Sequence, residues 1–151
     1  MPGARPALSL RGRALALLSR REQSRVELLC KLAPHAESAE EVEALLDALE
    51  KEGWLSGQRF AESVVHRKAG RYGAARILRE LQTHKLDENV IESVRDALRG
   101  DEAERAREVW LKKFGETPPA DARERAKQMR FMLARGFSAE VCSRLIPPVR
   151  T

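Results

Sequence analysis

Apolar side chains recur at three- and four-residue spacing along almost the whole chain, a pattern that predicts nine helices and no strand. The first covers about Leu10 to Ser19, with Leu10, Ala14, Leu17 and Leu18 inward. The second follows Ser24 as N-cap and places Val26, Leu29, Cys30 and Ala33 on one face until Pro34 ends it. The third follows Ser38, with Glu41 spaced for a capping box, a stripe of Val42, Leu45, Leu46 and Leu49, and Gly53 as its stop.

The fourth helix spans roughly Ser56 to Ala69, with Phe60, Ala61, Val64 and Val65 inward. A sharp turn follows at Gly70-Arg71-Tyr72-Gly73, where Gly70 ends one helix and Gly73 opens the next. The fifth helix runs to His84 with Ala74, Ile77, Leu78 and Leu81 in line. The sixth, capped by Asp87 and stopped by Gly100, turns Val90, Ile91, Val94 and Leu98 inward. The seventh, Asp101 to Phe114, buries Ala106, Trp110 and Phe114. After Gly115 and Pro118-Pro119 the eighth, Ala120 to Arg135, buries Ala126, Met129 and Leu133. Gly136 ends it, and Ser138 caps a ninth with Val141, Cys142 and Leu145 inward, stopped by Pro147-Pro148.

Nine helices in three sets suggest a repeat. Val42-x-x-Leu45-x-Asp47-Ala48-Leu49 and Ile91-x-x-Val94-x-Asp96-Ala97-Leu98 superimpose directly. The expectation is an all-α, elongated array of three tandem three-helix repeats, 10–55, 56–100 and 101–147, behind a flexible arm at 1–9.

Charge follows the same rhythm. Successive blocks 1–33, 34–55, 56–85, 86–104 and 105–151 carry net charges of +5, −6, +5, −5 and +6. In the first two repeats the third helix is acidic and the first two are basic. If the repeats stack in register, the basic helices form a stripe; the plainer reading is that exposed helices carry charge for solubility. A formal net charge of +5 suits a polyanionic partner without requiring one. Charged residues at 34% and aromatics at 5% favour solvent-laced helices over a sheet. No apolar run approaches the ~20 residues of a membrane span, and the start, Met-Pro-Gly-Ala-Arg-Pro, lacks a signal peptide's apolar core. Cys30 and Cys142 form no paired motif and read as small buried hydrophobes of a reducing compartment. Cytoplasm is expected.

Catalytic patterns are weak. The serines sit at caps and turns, His35, His66 and His84 are isolated, and no phosphate-loop fingerprint is present. No enzyme activity, cofactor or metal is expected. Nucleic-acid contact fits better: Arg67, Lys68, Arg71, Arg76 and Arg79 crowd the turn around Tyr72. The alternative is that Arg76 pairs with Glu80 one turn on and the others are solvated. Each repeat also outlines a helix-turn-helix, but the third helices open with acidic residues, which disfavours a major-groove reader.

The central block Gly53-Trp54-Leu55, Arg59-Phe60-Ala61-Glu62-Ser63, Arg67 and Tyr72-Gly73-Ala74-x-Arg76-Ile77-Leu78-x-Glu80-Leu81 resembles the RecX family, regulators of the RecA recombinase. Ala14-x-x-Leu17-Leu18-Ser19-Arg20-Arg21-x-x-Ser24 and Arg135-Gly136-Phe137-Ser138 extend the resemblance over about Leu10 to Ile146. Two positions depart from the family pattern. Ser56-Gly57-Gln58 stands where acidic residues are usual, and Lys85 stands where a glycine usually precedes Leu86. The resemblance implies a non-enzymatic monomer that binds the RecA–single-stranded DNA filament and, weakly, duplex DNA. It would block filament extension or favour disassembly, suppressing strand exchange, ATP hydrolysis and coprotease function in DNA repair and the SOS response. Arg59, Arg67, Lys68, Arg71, Tyr72, Arg76 and Arg79 are the expected contact patch. A general DNA-binding module and a protein–protein scaffold are the alternatives.

Overall fold

The computed structural model describes residues 7–149, so the expected arm at 1–9 lies mostly outside the described residues. Within them the chain forms eight α-helices and no strand: α1 Leu10–Arg20, α2 Arg25–Leu32, α3 Ala39–Lys51, α4 Gly57–Lys68, α5 Ala74–Gln82, α6 Glu88–Phe114, α7 Ala122–Ala134 and α8 Ala139–Leu145. A single 3-10 turn, Ala33–His35, holds Pro34 after α2. The chain divides into two compact units. One comprises residues up to Phe60 with His84–Leu86; the other comprises Ala61–Thr83 and Asp87 onward.

In the first unit, α1, α2 and α3 bury Ala14, Leu28, Leu32, Val42, Leu46, Leu49 and Leu55 as one core. The α3 stripe lies as its spacing predicts. The α2 stripe does not: Leu28 and Leu32 are buried, while Cys30 and Ala33 are exposed. This short helix carries two overlapping apolar faces. Burying two leucines removes more apolar surface than burying Cys30 and Ala33, at about 1.5–3 kcal/mol per leucine. Ser24 caps α2 with a complete capping box: its hydroxyl accepts from the Glu27 amide at 3.1 Å, and the Glu27 carboxylate accepts from the Ser24 amide at 3.1 Å. Glu41, expected to do the same for α3, reaches one residue further back and accepts from the Glu37 amide at 2.8 Å.

The Ser24 hydroxyl also lies 2.7 Å from Nδ1 of His84, whose ring packs 4.6 Å from that of Phe60. The segment carrying His84 then turns through Lys85 at φ +51°, the one positive-φ residue other than glycine among the described residues. The turn therefore keeps a left-handed conformation without its glycine, a cost of about 1–2 kcal/mol.

Part of the charge alternation in this unit is met internally. Arg25 holds Glu43 at 2.5 Å, Asp47 at 2.9 Å and Glu50 at 3.0 Å. Arg11 holds Glu52 at 2.9 Å.

The second unit corrects the expected helix count. Helices six and seven are one, the 27-residue α6, and Gly100 lies inside it with nothing within 4 Å of where its Cβ would stand. A helical glycine costs about 1 kcal/mol, too little to break a helix anchored on both sides. Ile91, Val94 and Leu98 are buried before Gly100, and Arg105, Ala106 and Trp110 after it. In α7 the buried residues are Gln128 and Met132, whereas Ala126 and Leu133 are exposed. Gln128 explains the shift. Its Oε1 accepts from the buried indole of Trp110 at 2.8 Å, and a core glutamine is invisible to an apolar pattern. Cys142 and Ile146 complete this core with Met132 and Phe137.

Candidate nucleic-acid interface

The turn between α4 and α5 is held from three directions. Locally, the amides of Arg71 and Tyr72 both donate to the Lys68 carbonyl at 3.0 Å. From α6, the buried Arg105 donates to the carbonyls of Ala69 at 2.9 Å and Tyr72 at 2.8 Å, to Leu98 at 3.3 Å, and to the Asp101 carboxylate at 2.9 Å. From the turn between α7 and α8, the Arg135 carbonyl accepts from the Gly73 amide at 2.8 Å, and the Gly136 carbonyl from the Ala75 amide at 3.3 Å.

This last contact explains two glycines. A Cβ on Gly73 would lie 2.4 Å from backbone atoms of Gly136 and Phe137, far inside van der Waals contact. Gly136, at φ +94°, would carry a Cβ 2.5 Å from that of Arg76. Gly73 has no side chain to cap α5, and Glu102 of α6 supplies an acceptor instead, 3.3 Å from the Ala74 amide. By contrast α4 stops at Lys68 before Gly70, whose added Cβ would meet nothing.

The backbone contact sets side chains from two sequence-distant turns around one ring. Tyr72 carries the Arg76 guanidinium 4.1 Å from its centroid, that of Arg135 at 5.3 Å and the Lys68 ammonium at 5.9 Å. Arg76 also donates to the Ala134 carbonyl at 3.3 Å. Glu80 pairs with Lys68 at 2.5 Å rather than with Arg76. Arg67, Arg71 and Arg79 are exposed and have no ion-pair partner among the described residues.

Arg59 lies in the first unit and is engaged there. It pairs with Glu22 at 2.9 Å and donates to the carbonyls of Gly53 at 2.6 Å and Trp54 at 3.2 Å, bracing the turn that leads into α4. Trp54, beside it, is 54% exposed.

Beyond the α4–α5 cations, the structure adds Lys112 and Lys113 at the end of α6, Phe131 of α7, and Arg135. Phe131 meets Phe114 edge-on at 5.3 Å and holds Lys113 at 5.3 Å and Arg135 at 5.0 Å from its centroid. Together with Arg71 these residues line an open depression of about 500 Å³. Periodicity gives no hint of this gathering; the Arg135-Gly136 pair was its one sequence signal.

The two thiols have opposite surroundings. Cys30 is exposed, against expectation, because α2 turns its leucines inward. Cys142 is fully buried, and burial, with the carboxylate of Glu102 adding to it, pushes its pKa up to about 11. Among the described residues no three His, Cys, Asp or Glu side chains gather as a metal site would need. Among the described residues no helix is long and apolar enough to cross a membrane.

Comparison with known proteins gives one consistent picture. Residues 58–94 match the second three-helix domain of RecX, and residues 100–146 match the third. The chain is 62% identical over 146 residues to the regulatory protein RecX of Ralstonia pickettii, covering 97% of this chain and 91% of that one. It is 51% identical to the regulatory protein RecX of Leptothrix cholodnii, covering 97% and 92%. Among solved structures, a regulatory protein RecX superimposes with a TM-score of 0.77 at 22% identity, covering 90% of this chain and 70% of that chain. RecX from Lactobacillus salivarius superimposes at 0.72 and 20% identity, covering 90% and 91%.

Proposed function

The chain belongs to the RecX family, and from that premise we propose that it restrains the RecA recombinase by binding the RecA–single-stranded DNA filament. Bound there, it blocks extension or promotes disassembly, and strand exchange, ATP hydrolysis and coprotease activity fall together because each requires the filament. It acts in the cytoplasm as a monomer, by occupancy and without catalysis, through three-helix domains at 10–55, 56–100 and 101–147.

One observation supports this reading above the rest: exposed cations near the α4–α5 turn of the second unit that have no ion-pair partner among the described residues. In the first unit Arg11 and Arg25 are taken up by the carboxylates of α3 and Glu52. In the second, Arg67, Arg71 and Arg79 stand unpaired around a turn braced from α6 and from the α7–α8 turn. Unpaired like charges on a rigid support repel one another, and a nucleoprotein polyanion relieves that repulsion. Arg59 contributes by holding the Gly53–Leu55 turn in place rather than by free charge.

The test is ATP hydrolysis by preformed RecA filaments on single-stranded DNA while this protein is titrated in. Inhibition well below one molecule per recombinase monomer is expected and indicates capping. Inhibition only as the DNA itself saturates would replace this reading with general DNA binding.

A further inference from the structure

We propose that the depression lined by Arg71, Lys112, Lys113, Phe131 and Arg135 is a binding site for the phosphodiester backbone of a single DNA strand, anchored by Arg135. The proposal deepens the filament reading above and rests on it for the identity of the polyanion. It is tested on naked DNA, so that the two can fail separately.

Arg135 carries the argument. Its guanidinium lies 5.3 Å from the Tyr72 centroid and 5.0 Å from that of Phe131, so two rings flank one cation. Aromatic faces attract a guanidinium without neutralising it or taking up its N–H donors. No carboxylate is within ion-pair distance of it among the described residues. Its backbone is fixed as well, because its carbonyl accepts from the Gly73 amide at 2.8 Å. A charged fork is thus held in place before any ligand arrives, which lowers the entropy lost when one binds. Phosphate oxygens match that fork in pairs.

The surroundings select for a polyanion. Arg71, Lys112 and Lys113 line the same depression, Lys113 itself resting 5.3 Å from the Phe131 centroid. Glu108 is the one carboxylate among the lining residues. It disfavours phosphate at its own position and offers an acceptor to the amino group of a base. A concavity of about 500 Å³ takes one or two nucleotides of a flexible strand, whereas a duplex is too wide to enter it.

The experiment is binding of a labelled oligothymidylate, read by fluorescence anisotropy across a salt series, with a duplex of matched length as control. Arg135→Gln should weaken oligothymidylate binding about tenfold at low salt. Lys112→Gln with Lys113→Gln should weaken it and flatten the salt dependence by about 1.4 in log–log slope, from roughly 0.7 per lost phosphate contact. Glu108→Gln should tighten binding, an outcome that misfolding cannot mimic. Duplex binding should change much less in all three. Wild-type protein that does not bind oligothymidylate, or variants that bind it unchanged, would overturn the site. Equal losses on duplex and single strand would overturn its assignment to a single strand. Inhibition of RecA filaments by the same variants reports independently on the reading above.

Discussion

The backbones of Gly73 and Gly136 touch: a Cβ on Gly73 would stand 2.4 Å from the carbonyl carbon and oxygen of Gly136. Two turns, one in the stretch that matches the second RecX three-helix domain and one in the stretch that matches the third, therefore meet main chain to main chain. Through that contact Arg135 reaches Tyr72, 63 positions earlier in the chain, and a cationic surface forms that neither turn has alone.

Neither glycine tolerates alanine. The clashing atoms at Gly73 belong to backbone, which cannot swing aside, and overpacking of this kind costs about 1–3 kcal/mol or more. Gly136→Ala adds left-handed strain of about 1–2 kcal/mol at φ +94°. Gly53→Ala, at φ +84° with nothing nearby, should show the strain alone. Urea denaturation should rank the three as Gly136 most costly, then Gly73, then Gly53. Equal midpoints for all three would remove the contact from the account.

Lys85 offers the reverse case. It holds φ +51°, where glycine is at ease. Lys85→Gly should raise stability by about 1 kcal/mol, relief of strain being only partly offset by the greater freedom of glycine in the unfolded chain. A thermal melt that shifts downward would show that the lysine is held by contacts stronger than its strain.

Arg105 is the buried charge that ties α6 to the α4–α5 turn through the carbonyls of Ala69 and Tyr72. Arg105→Met should leave those two carbonyls short of a donor, costing about 2–4 kcal/mol. The amides of residues 70–73 should then exchange with solvent faster than those of α3. Unchanged exchange at the turn would show that the Gly136 contact alone suffices to hold it.

The thiols should separate under labelling. Cys30 should react with a maleimide in the native state and Cys142 only after unfolding. The native Cys142 pKa of about 11 lies above its ordinary value, so the neutral thiol is the form the fold favours. Its contribution to stability is complete below pH about 9 and declines as pH rises through about 11. Cys142→Ala should flatten that alkaline decline; an unchanged alkaline profile would assign the decline to other groups.

Much of this was legible in the sequence where the signal was local. Ser24, Ser38 and Ser138 cap the helices they were expected to cap. The stripes of α3, α4 and α5 face inward as their spacing requires. What failed was non-local. Gly100 reads as a stop because glycine is a poor helix former, yet the buried residues on either side carry α6 straight through it. Gln128 is polar, and only its bond to Trp110 explains why α7 turns that face inward. Arg67, Lys68, Arg71, Tyr72, Arg76 and Arg79 cluster in sequence and could be named together. Lys112, Lys113, Phe131 and Arg135 join them by packing alone, which no window of the sequence contains. Gly73 was visible as a helix start, while the reason it must be glycine lies on the Gly136 turn.

The central claim is that unpaired cations on α4 and α5 engage the RecA filament. The most direct measurement compares Arg67→Glu/Arg79→Glu with the unaltered protein in the filament ATP-hydrolysis titration, at matched thermal stability. Both side chains are exposed and without ion-pair partners among the described residues, so the fold should be unaffected. The account predicts that the double variant no longer inhibits at ratios where the unaltered protein does. Full inhibition by the double variant would contradict it.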